Sequence, residues 1–452
     1  MKITTWTSTT ATQRWQDLGT VSPAPIRRIP DVLVQLDDEQ QEVEGFGATF
    51  NELGWTSLSR LDDQQRAAIF DELFSTEGGN FTIGRMPVAA NDFARDYYSY
   101  AEVPEDFALE HFSIEHDHET LIPFIHQAQQ RRPDLKLWAS PWCPPQWMKT
   151  NGHYASAQPW IDGVENGLTA EQVQAEGTDS FIQDERYLST YADYFGRFVD
   201  AYAALGIDIR MVMPQNEFNS AQPYPSCTWT PTGLAAFLRH LVPRMRERGV
   251  EVFLGTVERP NLSLVSDVLA DPELAESIAG VGVQWHGKSL MPFLKRDHPE
   301  LRLYQTEQEC GDGKNDWRYA RYSWRLMRDF LNNGANAYQY WNLSLDRGGV
   351  SRWGWSQNSL VVVDQDGTFE YTHEYYVLKH VSHYVQPGAR LVPTLSYAGY
   401  ENQLAFRNPD GSLVIVMQND TAEPMPVSIL VGDEVVSPVL PADSLSTFVV
   451  EV

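Results

Sequence analysis

Apolar and polar positions along the first 387 residues fall into two alternating kinds of segment. Eight short runs are rich in apolar or β-branched residues, and several of them are nearly continuous, as expected of strands that are buried on both faces. They span residues 42–47, 81–88, 135–142, 207–214, 251–256, 281–285, 301–306 and 337–341. Apolar residues recur at helical spacing over 62–75, 119–130, 185–205, 231–248, 262–269, 290–297, 316–332 and 373–385. The pattern predicts eight consecutive β-then-α units.

Eight such units are the element count of a barrel of parallel strands surrounded by helices. Near Pro387 the pattern changes to short alternating strands separated by turn sequences such as Asn-Pro-Asp-Gly. The first 41 residues also read as strands, and a C-terminal sheet unit of about 65 residues is small to hold a core alone. We therefore predict an α/β fold: a (β/α)8 TIM barrel over 42–387, with an appended β-sandwich side domain built from both termini, 1–41 plus 388–452.

The charge balance excludes several classes of partner. The chain carries 34 Lys and Arg against 61 Asp and Glu, a formal net charge of −27, which opposes binding to nucleic acid or to an anionic membrane. No stretch of about 18 consecutive apolar residues predicts a membrane span, and no secretion signal is visible. Three cysteines fit a reducing compartment. We expect a cytoplasmic protein with a neutral or cationic ligand.

Tryptophan positions indicate what that ligand is. The chain has 14 Trp, 20 Tyr and 20 Phe. Several tryptophans lie at or just after the ends of apolar runs, beside Pro, Gly, Asn or Glu: Trp142, Trp147, Trp229, Trp285, Trp317, Trp341, Trp353 and Trp355. Aromatic faces in such loops favour ligands with apolar C–H faces, sugars above all, although any flat ligand would fit.

Carboxylates stand where a barrel of this kind places its functional residues, at the C-terminal ends of the strands. Glu217 follows the fourth predicted strand, and Glu307 and Glu309 follow the seventh. Two carboxylates across one barrel mouth are what retaining glycoside hydrolysis needs, one to protonate the leaving oxygen and one to attack the anomeric carbon. Arg85 is a candidate to keep one of them ionised. Proximity to the strand end favours Glu307 over Glu309 as the attacking group, and Glu309 stays open.

Seven motifs occur along the chain in the order and at the spacing of a known family: GFGATFNEL, RMPVAANDF, WASPWCPPQWMKTNG, MPQNE, VQWHGK, YQTEQECGDG and YWNLSL. Together they resemble glycoside hydrolase family 30, the family of glucosylceramidase and of related bacterial β-glycosidases, from about residue 42 to residue 387. The resemblance implies a (β/α)8 barrel with a β-sandwich built from both termini. It also implies net retention by double displacement through a covalent glycosyl-enzyme.

The resemblance assigns roles position by position. Glu217 matches the family's acid/base and Glu307 its nucleophile. Asn216 matches the residue that hydrogen-bonds the sugar 2-hydroxyl, and Arg85 matches the arginine beside the nucleophile. The residues that match those holding the sugar in the first subsite are Asp92, Trp142 and Trp341.

One motif departs from the family pattern after the sixth predicted strand. Glucosylceramidase has His-Trp-Tyr there, and this chain reads Gln284-Trp285-His286. Trp285 and His286 are therefore counted as substrate-binding candidates. His286 stands where a tyrosine is expected near the nucleophile, so it either takes over that hydrogen bond or widens the site. The change leaves open which aglycone is bound.

These observations predict a retaining, exo-acting β-glycosidase that hydrolyses β-glucosides or β-1,6-linked gluco-oligosaccharides, a small carbohydrate substrate, without cofactor or metal. Alternatives within the family are a β-xylosidase, a β-fucosidase or a β-1,6-galactanase. A catalytically inactive sugar-binding barrel should have lost one carboxylate, and both are present. A metal-dependent barrel hydrolase needs His or Asp ligands at several strand ends, which the sequence lacks.

Overall fold

The computed structural model describes residues 2–26, 28–309 and 311–451. Eight strands close into a barrel in which neighbours pair in parallel, the eighth with the first. The strands are Gly45–Thr49, Ile83–Pro87, Lys136–Ser140, Ile209–Val212, Glu251–Val257, Gly280–Gln284, Arg302–Glu307 and Ala335–Asn342. The predicted TIM barrel is confirmed.

The barrel interior is filled by side chains at its N-terminal end. Ile83, Trp138, Met211, Phe253 and Tyr304, from five different strands, belong to one buried cluster. Branched and aromatic residues at inward positions are the expected filling of such a barrel. A filled interior leaves the C-terminal mouth as the end of the barrel where polar side chains can meet a ligand.

All eight predicted helices are present, and two short helices, Glu52–Leu58 and Pro272–Ser277, were not predicted. The predicted ones are Asp63–Phe74, Leu121–Arg131, Glu185–Ala203, Pro231–Arg246, Ser263–Leu269, Met291–Asp297, Trp317–Asn332 and His373–Ser382. Single turns of 3-10 helix lie at Glu115–Glu119, Gln146–Met148, Ala170–Gln172 and Trp285–Leu290. Periodicity over six or seven residues is a weak signal, and it indicated two other helices of seven residues but not these two.

The first predicted strand, 42–47, is wrong at its start. The barrel strand begins at Gly45, and Glu42–Val43 instead pair with Ala389–Leu391 in the side domain. Between the two segments, the Glu44 amide donates to the carbonyl of Asn336. A continuous apolar-looking run therefore divides between two sheets, which a periodicity argument cannot detect.

The side domain contains a seven-stranded antiparallel sheet to which both termini contribute. Its order is Gln16–Val21, Lys2–Thr10, Ser444–Glu451, Leu413–Asn419, Gln403–Arg407, Ala389–Leu391 and Glu42–Val43. A second sheet has the order Thr394–Leu395, Val32–Val34, Ile429–Val431 and Glu434–Val436. Met425–Pro426 pairs with Val439–Leu440. The exact division of the chain at residues 42 and 387 remains a prediction.

Alternation along one strand explains how the side domain is attached. Leu413, Ile415 and Met417 belong to the core of the sandwich, whereas Val414 and Val416 belong to the core that includes the barrel helices. Because successive strand residues point to opposite faces, the seven-stranded sheet is buried on both sides. The side domain is thus packed against the barrel as well as folded on itself.

The chain that follows the eighth barrel strand forms a three-stranded sheet, which was not predicted. It consists of Ser344–Asp346, Val361–Val363 and Phe369–Tyr371. The loop between its first two strands, 347–360, carries Trp355 toward the barrel mouth. Within the part of the chain that the structure describes, no helix has the length and apolar character needed to cross a membrane.

Candidate active site

Arg85 joins four strand ends at the barrel mouth. It lies on the second strand and is fully buried. Its guanidinium donates to Oε2 of Glu307 at 2.6 Å, to Oδ1 of Asn216 at 2.6 Å and to Oγ of Ser140 at 3.1 Å. The acceptors come from the seventh strand, the loop after the fourth and the end of the third. A rigid fork of donors is suited to fixing several oxygens at once.

Tryptophans surround the same guanidinium. Its carbon lies 4.4 Å from the ring centroid of Trp142, 5.0 Å from that of Trp138 and 5.3 Å from that of Trp341. Trp142 and Trp341 also stack on each other, with centroids 5.1 Å apart. Cation–π contacts in a desolvated site contribute about 2 kcal/mol each. The two tryptophans predicted to hold a sugar therefore also hold Arg85 in place.

Glu307 is the last residue of the seventh strand, and its side chain is almost fully buried. Besides Arg85, the Nε2 of Gln284 donates to its Oε2 at 2.9 Å. Burial raises the pKa of Glu307, and the charge and hydrogen bond of Arg85 oppose that rise. Two donors on one carboxylate oxygen favour the ionised form.

Glu309 lies beyond the end of the strand, on the lining of the same cavity. The contact with Arg85 is made by Glu307, two residues closer to the strand. The structure thus brings both glutamates to the mouth but anchors Glu307 to the buried arginine.

Asn216 is held by its side-chain oxygen. Its Oδ1 accepts from Arg85, from Nε2 of Gln284 at 2.9 Å and from Oγ1 of Thr256 at 3.0 Å. Its backbone amide donates to the carbonyl of Pro141 at 2.7 Å. With the oxygen committed to three donors, the orientation of the amide is fixed and its NH2 group is the part left to bind a ligand.

Glu217 is placed by a loop and not by a strand. Its backbone has φ of 45°, in the left-handed region, and its amide donates to Oγ1 of Thr256 at 2.9 Å. Its Oε2 accepts from Nε2 of Gln222 at 3.2 Å and from the hydroxyl of Tyr224 at 3.3 Å. Burial raises the pKa of Glu217 well above its usual range, and the charges of Glu307, Glu258 and Asp92 raise it further.

The loop that carries Gln222 and Tyr224 is tied down by a buried lysine. Lys149 is 3% exposed, and its ammonium donates to the carbonyls of Ser226 at 2.6 Å and Tyr154 at 3.0 Å. The amides of residues 156 and 157 both donate to the carbonyl of Gln222. Two loops are therefore joined directly behind the contacts to Glu217.

Asp92 follows the second strand and is buried beside Arg85 and Trp341. Among the described residues its Oδ1 has no hydrogen-bond partner. Burial and the charge of Glu307 raise the pKa of Asp92 well above its usual range, and Arg85 and Trp341 oppose the rise only in part. A buried acceptor without a partner is costly unless a ligand supplies one.

Two alternatives were predicted for His286, a hydrogen bond to Glu307 or a wider site. Its Nδ1 pairs with Oε1 of Glu258 at 2.8 Å, and the hydrogen bond to Glu307 is made by Gln284 instead. The 3-10 turn that begins at Trp285 carries the chain away from the strand direction, so His286 lies beside Glu258. Trp285 lines the cavity as predicted and stacks on His286 with centroids 5.1 Å apart.

These residues surround a cavity of about 270 Å³, whose lining includes both candidate carboxylates together with Asp92, Tyr224, Trp285 and Trp355. No group of three or more His, Cys, Asp or Glu in the described parts of the chain is arranged to hold a metal ion. The arrangement offers one carboxylate beside a cation, one carboxylate among further acids, and aromatic faces. That combination suits acid and nucleophile chemistry on a hydroxylated ring.

Sequence reasoning missed several residues that contact the candidates, among them Gln222, Tyr224, Thr256, Glu258 and Gln284. Thr256 and Gln284 lie on barrel strands near their C-terminal ends, so the rule that identified Arg85 could have found them. Gln222 and Tyr224 lie on an irregular loop, where no periodic signal points toward the site.

Comparison with known families matches residues 43–385 to the glycosyl hydrolase family 30 TIM-barrel domain and 398–448 to the glycosyl hydrolase family 30 beta sandwich domain. The lysosomal acid glucosylceramidase of Mus musculus is 29% identical over 438 residues, 90% of this chain and 81% of the relative. The endo-1,6-beta-D-glucanase neg1 of Aspergillus fumigatus is 25% identical over 409 residues, 84% and 79% respectively. SrfJ of Salmonella typhimurium shares the fold, with a TM-score of 0.87 at 24% identity and 100% of both chains covered.

Proposed function

The chain belongs to glycoside hydrolase family 30, and on that premise we propose that it is a retaining, exo-acting β-glycosidase that hydrolyses β-glucosides or β-1,6-linked gluco-oligosaccharides. The observation that carries the proposal is the contrast between its two buried carboxyl groups. Arg85 and Gln284 donate to Glu307, whereas Glu217 lies among Glu307, Glu258 and Asp92. Glu307 therefore loses its proton before Glu217 does, which is the division of labour that retention requires.

The reaction follows from that division. The Glu307 carboxylate attacks the anomeric carbon while Glu217 gives its proton to the leaving oxygen, so the glycosidic bond breaks and a glycosyl ester forms. Glu217, now ionised, takes a proton from water, which attacks the anomeric carbon and releases Glu307. Asn216 offers its NH2 group to the 2-hydroxyl, a contact that strengthens as the transition state forms.

The remaining predicted residues hold the sugar. Asp92 has a free buried acceptor oxygen for a hydroxyl, and Trp142 and Trp341 offer aromatic faces next to Arg85. A cavity of about 270 Å³ lined by carboxylates, amides and aromatic rings supports an exo-acting enzyme that takes a chain end. The mouse relative is a glucosylceramidase and the fungal relative is a glucanase, which supports glucose as the sugar.

A second candidate is an endo-acting β-1,6-glucanase, favoured by the Aspergillus fumigatus relative. The exo-acting and the endo-acting candidates would release different first products when they hydrolyse a long β-1,6-glucan. An exo-acting enzyme releases single sugars from the outset, whereas an endo-acting enzyme releases a mixture of oligosaccharides. Product chromatography at low conversion decides between them.

The proposed function is tested with a panel of nitrophenyl β-glycosides. Cleavage of the glucoside, with the β-anomer as first product by NMR, supports a retaining β-glucosidase. Preference for the xyloside, fucoside or galactoside would assign one of the other sugars instead. Cleavage of none, with sugar still bound, would indicate an inactive sugar-binding barrel. A carboxyl separation of about 8 Å or more between Glu217 and Glu307, against about 5–5.5 Å for retention, would point to inversion.

A further inference from the structure

Three aromatic side chains lead outward from Glu217. Tyr224 is buried and donates to Glu217, and its ring centroid lies 4.9 Å from that of Trp355. Trp355 is half-buried, and its centroid lies 5.4 Å from that of Trp160, which is 55% exposed. All three line the cavity that contains the two catalytic candidates. They form a continuous aromatic path, Tyr224–Trp355–Trp160, from the candidate acid to solvent.

The outermost contact of this path, between Trp355 and Trp160, lies where two loops approach each other closely. A Cβ built on Gly354 would lie 2.6 Å from Cγ2 of Val164, closer than real atoms approach. Gly354 also has φ of 90°, which favours glycine. The loop of Trp355 therefore packs tightly on the loop of Trp160, so the exposed indole is fixed against its neighbour.

The chemistry of the surrounding wall limits what this path can bind. Carboxylates and amides from Glu258, Glu309, Gln222, Gln308 and Gln357 share the lining with the aromatic rings. An alkyl chain would desolvate these polar groups without giving them partners. A sugar ring satisfies both surfaces, because its C–H face packs on an indole and its hydroxyls bond to carboxylates and amides.

We propose that the path Tyr224–Trp355–Trp160 binds the leaving-group end of the substrate, and that this end is a carbohydrate of at least two sugar rings. The proposal rests on the proposed function, because the path lies on the leaving-group side only if Glu217 is the acid. Trp355 stacks on the ring next to the cleaved bond, and Trp160 stacks on the ring beyond it. The site is then built for oligosaccharides and not for lipid glycosides.

Chain length provides the test. Dissociation constants are measured by calorimetry for β-1,6-, β-1,3- and β-1,4-linked gluco-oligosaccharides of two to four sugars. The Glu307→Gln variant is used, because removing the nucleophile should slow hydrolysis by about 10⁴-fold or more. We expect affinity to rise about three- to tenfold from the disaccharide to the trisaccharide in at least one linkage. Trp160→Ala should abolish that rise, and Trp160→Phe should keep most of it. Gly354→Ala should reduce it by separating the two loops.

Tyr397→Ala is the matched control, because Tyr397 is 74% exposed on the side domain and should leave the length dependence as in the parent. Equal affinity for all chain lengths in every linkage would overturn the proposal, and so would a length dependence that survives Trp160→Ala. The wild-type protein is assayed separately on nitrophenyl β-glucoside. Failure to cleave that substrate counts against the proposed function, whereas loss of the length effect counts against the aromatic path alone.

Discussion

The two halves of the candidate site are built from different kinds of structure. On the Glu307 side, the carboxylate ends a strand, and its donors Arg85 and Gln284 are themselves strand residues. On the Glu217 side, the carboxylate and its donors Gln222 and Tyr224 all lie on loops. A nucleophile must be positioned closely against one carbon atom, which favours the rigid strand ends. A proton donor serves leaving groups of varied shape, which a loop can accommodate.

Electrostatics divide the halves in the same way. Burial raises the pKa of both carboxyl groups. The charge and hydrogen bond of the buried Arg85 oppose the rise at Glu307, whereas the charge of the partly exposed Arg259 opposes it at Glu217. Under the proposed function, the strand side supplies the nucleophile and the loop side supplies the acid. Each experiment below removes one element of this contrast.

The largest effect is expected on the strand side. Glu307→Gln should lower kcat by about 10⁴- to 10⁶-fold, since it removes the nucleophile itself. Glu309→Gln, the matched control two residues away, should cost less than about tenfold because Glu309 makes no contact with Arg85 among the described residues. Trapping with a 2-deoxy-2-fluoro glycoside, followed by mass spectrometry of the labelled peptide, identifies the ester. A label on Glu309 would transfer the nucleophile role two residues along the chain.

The next largest effect is expected on the loop side, and it should depend on the leaving group of the substrate. Glu217→Gln should lower the glycosylation rate by about 10²- to 10⁴-fold for glycosides with poor leaving groups, because general acid catalysis is lost. Dinitrophenyl glycosides need no proton, so their glycosylation step should fall far less. Pre-steady-state measurement of the released phenol isolates that step. An equal loss on both kinds of substrate would show that Glu217 is not the acid.

The residues of the strand side could be predicted from the sequence, whereas the loop residues that contact Glu217 could not. Arg85 and Glu307 were identified because parallel strands converge at one end of a barrel, so residues at strand ends must meet. The role of Asn216 was implied by the family resemblance. Gln222 and Tyr224 were not, because the path of the loop between the fourth strand and Pro231–Arg246 depends on distant contacts such as those of Lys149.

In the fold, too, the sequence predicted local elements better than it predicted their tertiary partners. The eight barrel strands were located to within a few residues, but the first run, 42–47, divides between the barrel and the side domain. His286 stands where a tyrosine was expected near the nucleophile; it pairs with Glu258, and Gln284 donates to Glu307. In both cases the segment was located correctly from the sequence, but tertiary packing decides which strand or side chain it contacts.

A pH profile sharpens the strand side of the comparison. Arg85→Lys keeps a positive charge but cannot reach Glu307 and Asn216 at once, so kcat/KM should fall by about 10- to 100-fold. Arg85 opposes the rise of the Glu307 pKa, so weakening it should raise that pKa. The acid limb of kcat/KM should then move to higher pH, because Glu307 must be ionised to attack. An acid limb that stays in place would separate Arg85 from the ionisation of Glu307.

The smallest effect tests whether the loop side depends on its anchor. Lys149 makes no contact with Glu217, but its ammonium joins the carbonyls of Tyr154 and Ser226, next to the loop that supplies Gln222 and Tyr224. Lys149→Met removes those hydrogen bonds at similar side-chain length. We expect the Tyr224 and Gln222 contacts to loosen, which should lower kcat/KM by about fivefold to tenfold for poor leaving groups. Dinitrophenyl glycosides should change by about twofold or less.

Two further variants distinguish positioning from general stability. Ser156→Ala removes the longest of the Lys149 contacts, at 3.4 Å, together with the hydrogen bond from the Ser156 hydroxyl to the carbonyl of Ser226 at 3.1 Å. It leaves the shorter Lys149 contacts in place and should give a smaller change in the same direction. Tyr224→Phe should cost less in the Lys149→Met background than in the wild type, because residues that act through one contact are not additive. An equal fall for good and poor leaving groups, together with additive costs, would mean that Lys149 stabilises the fold without orienting the acid. The loop side would then be held by backbone pairing alone.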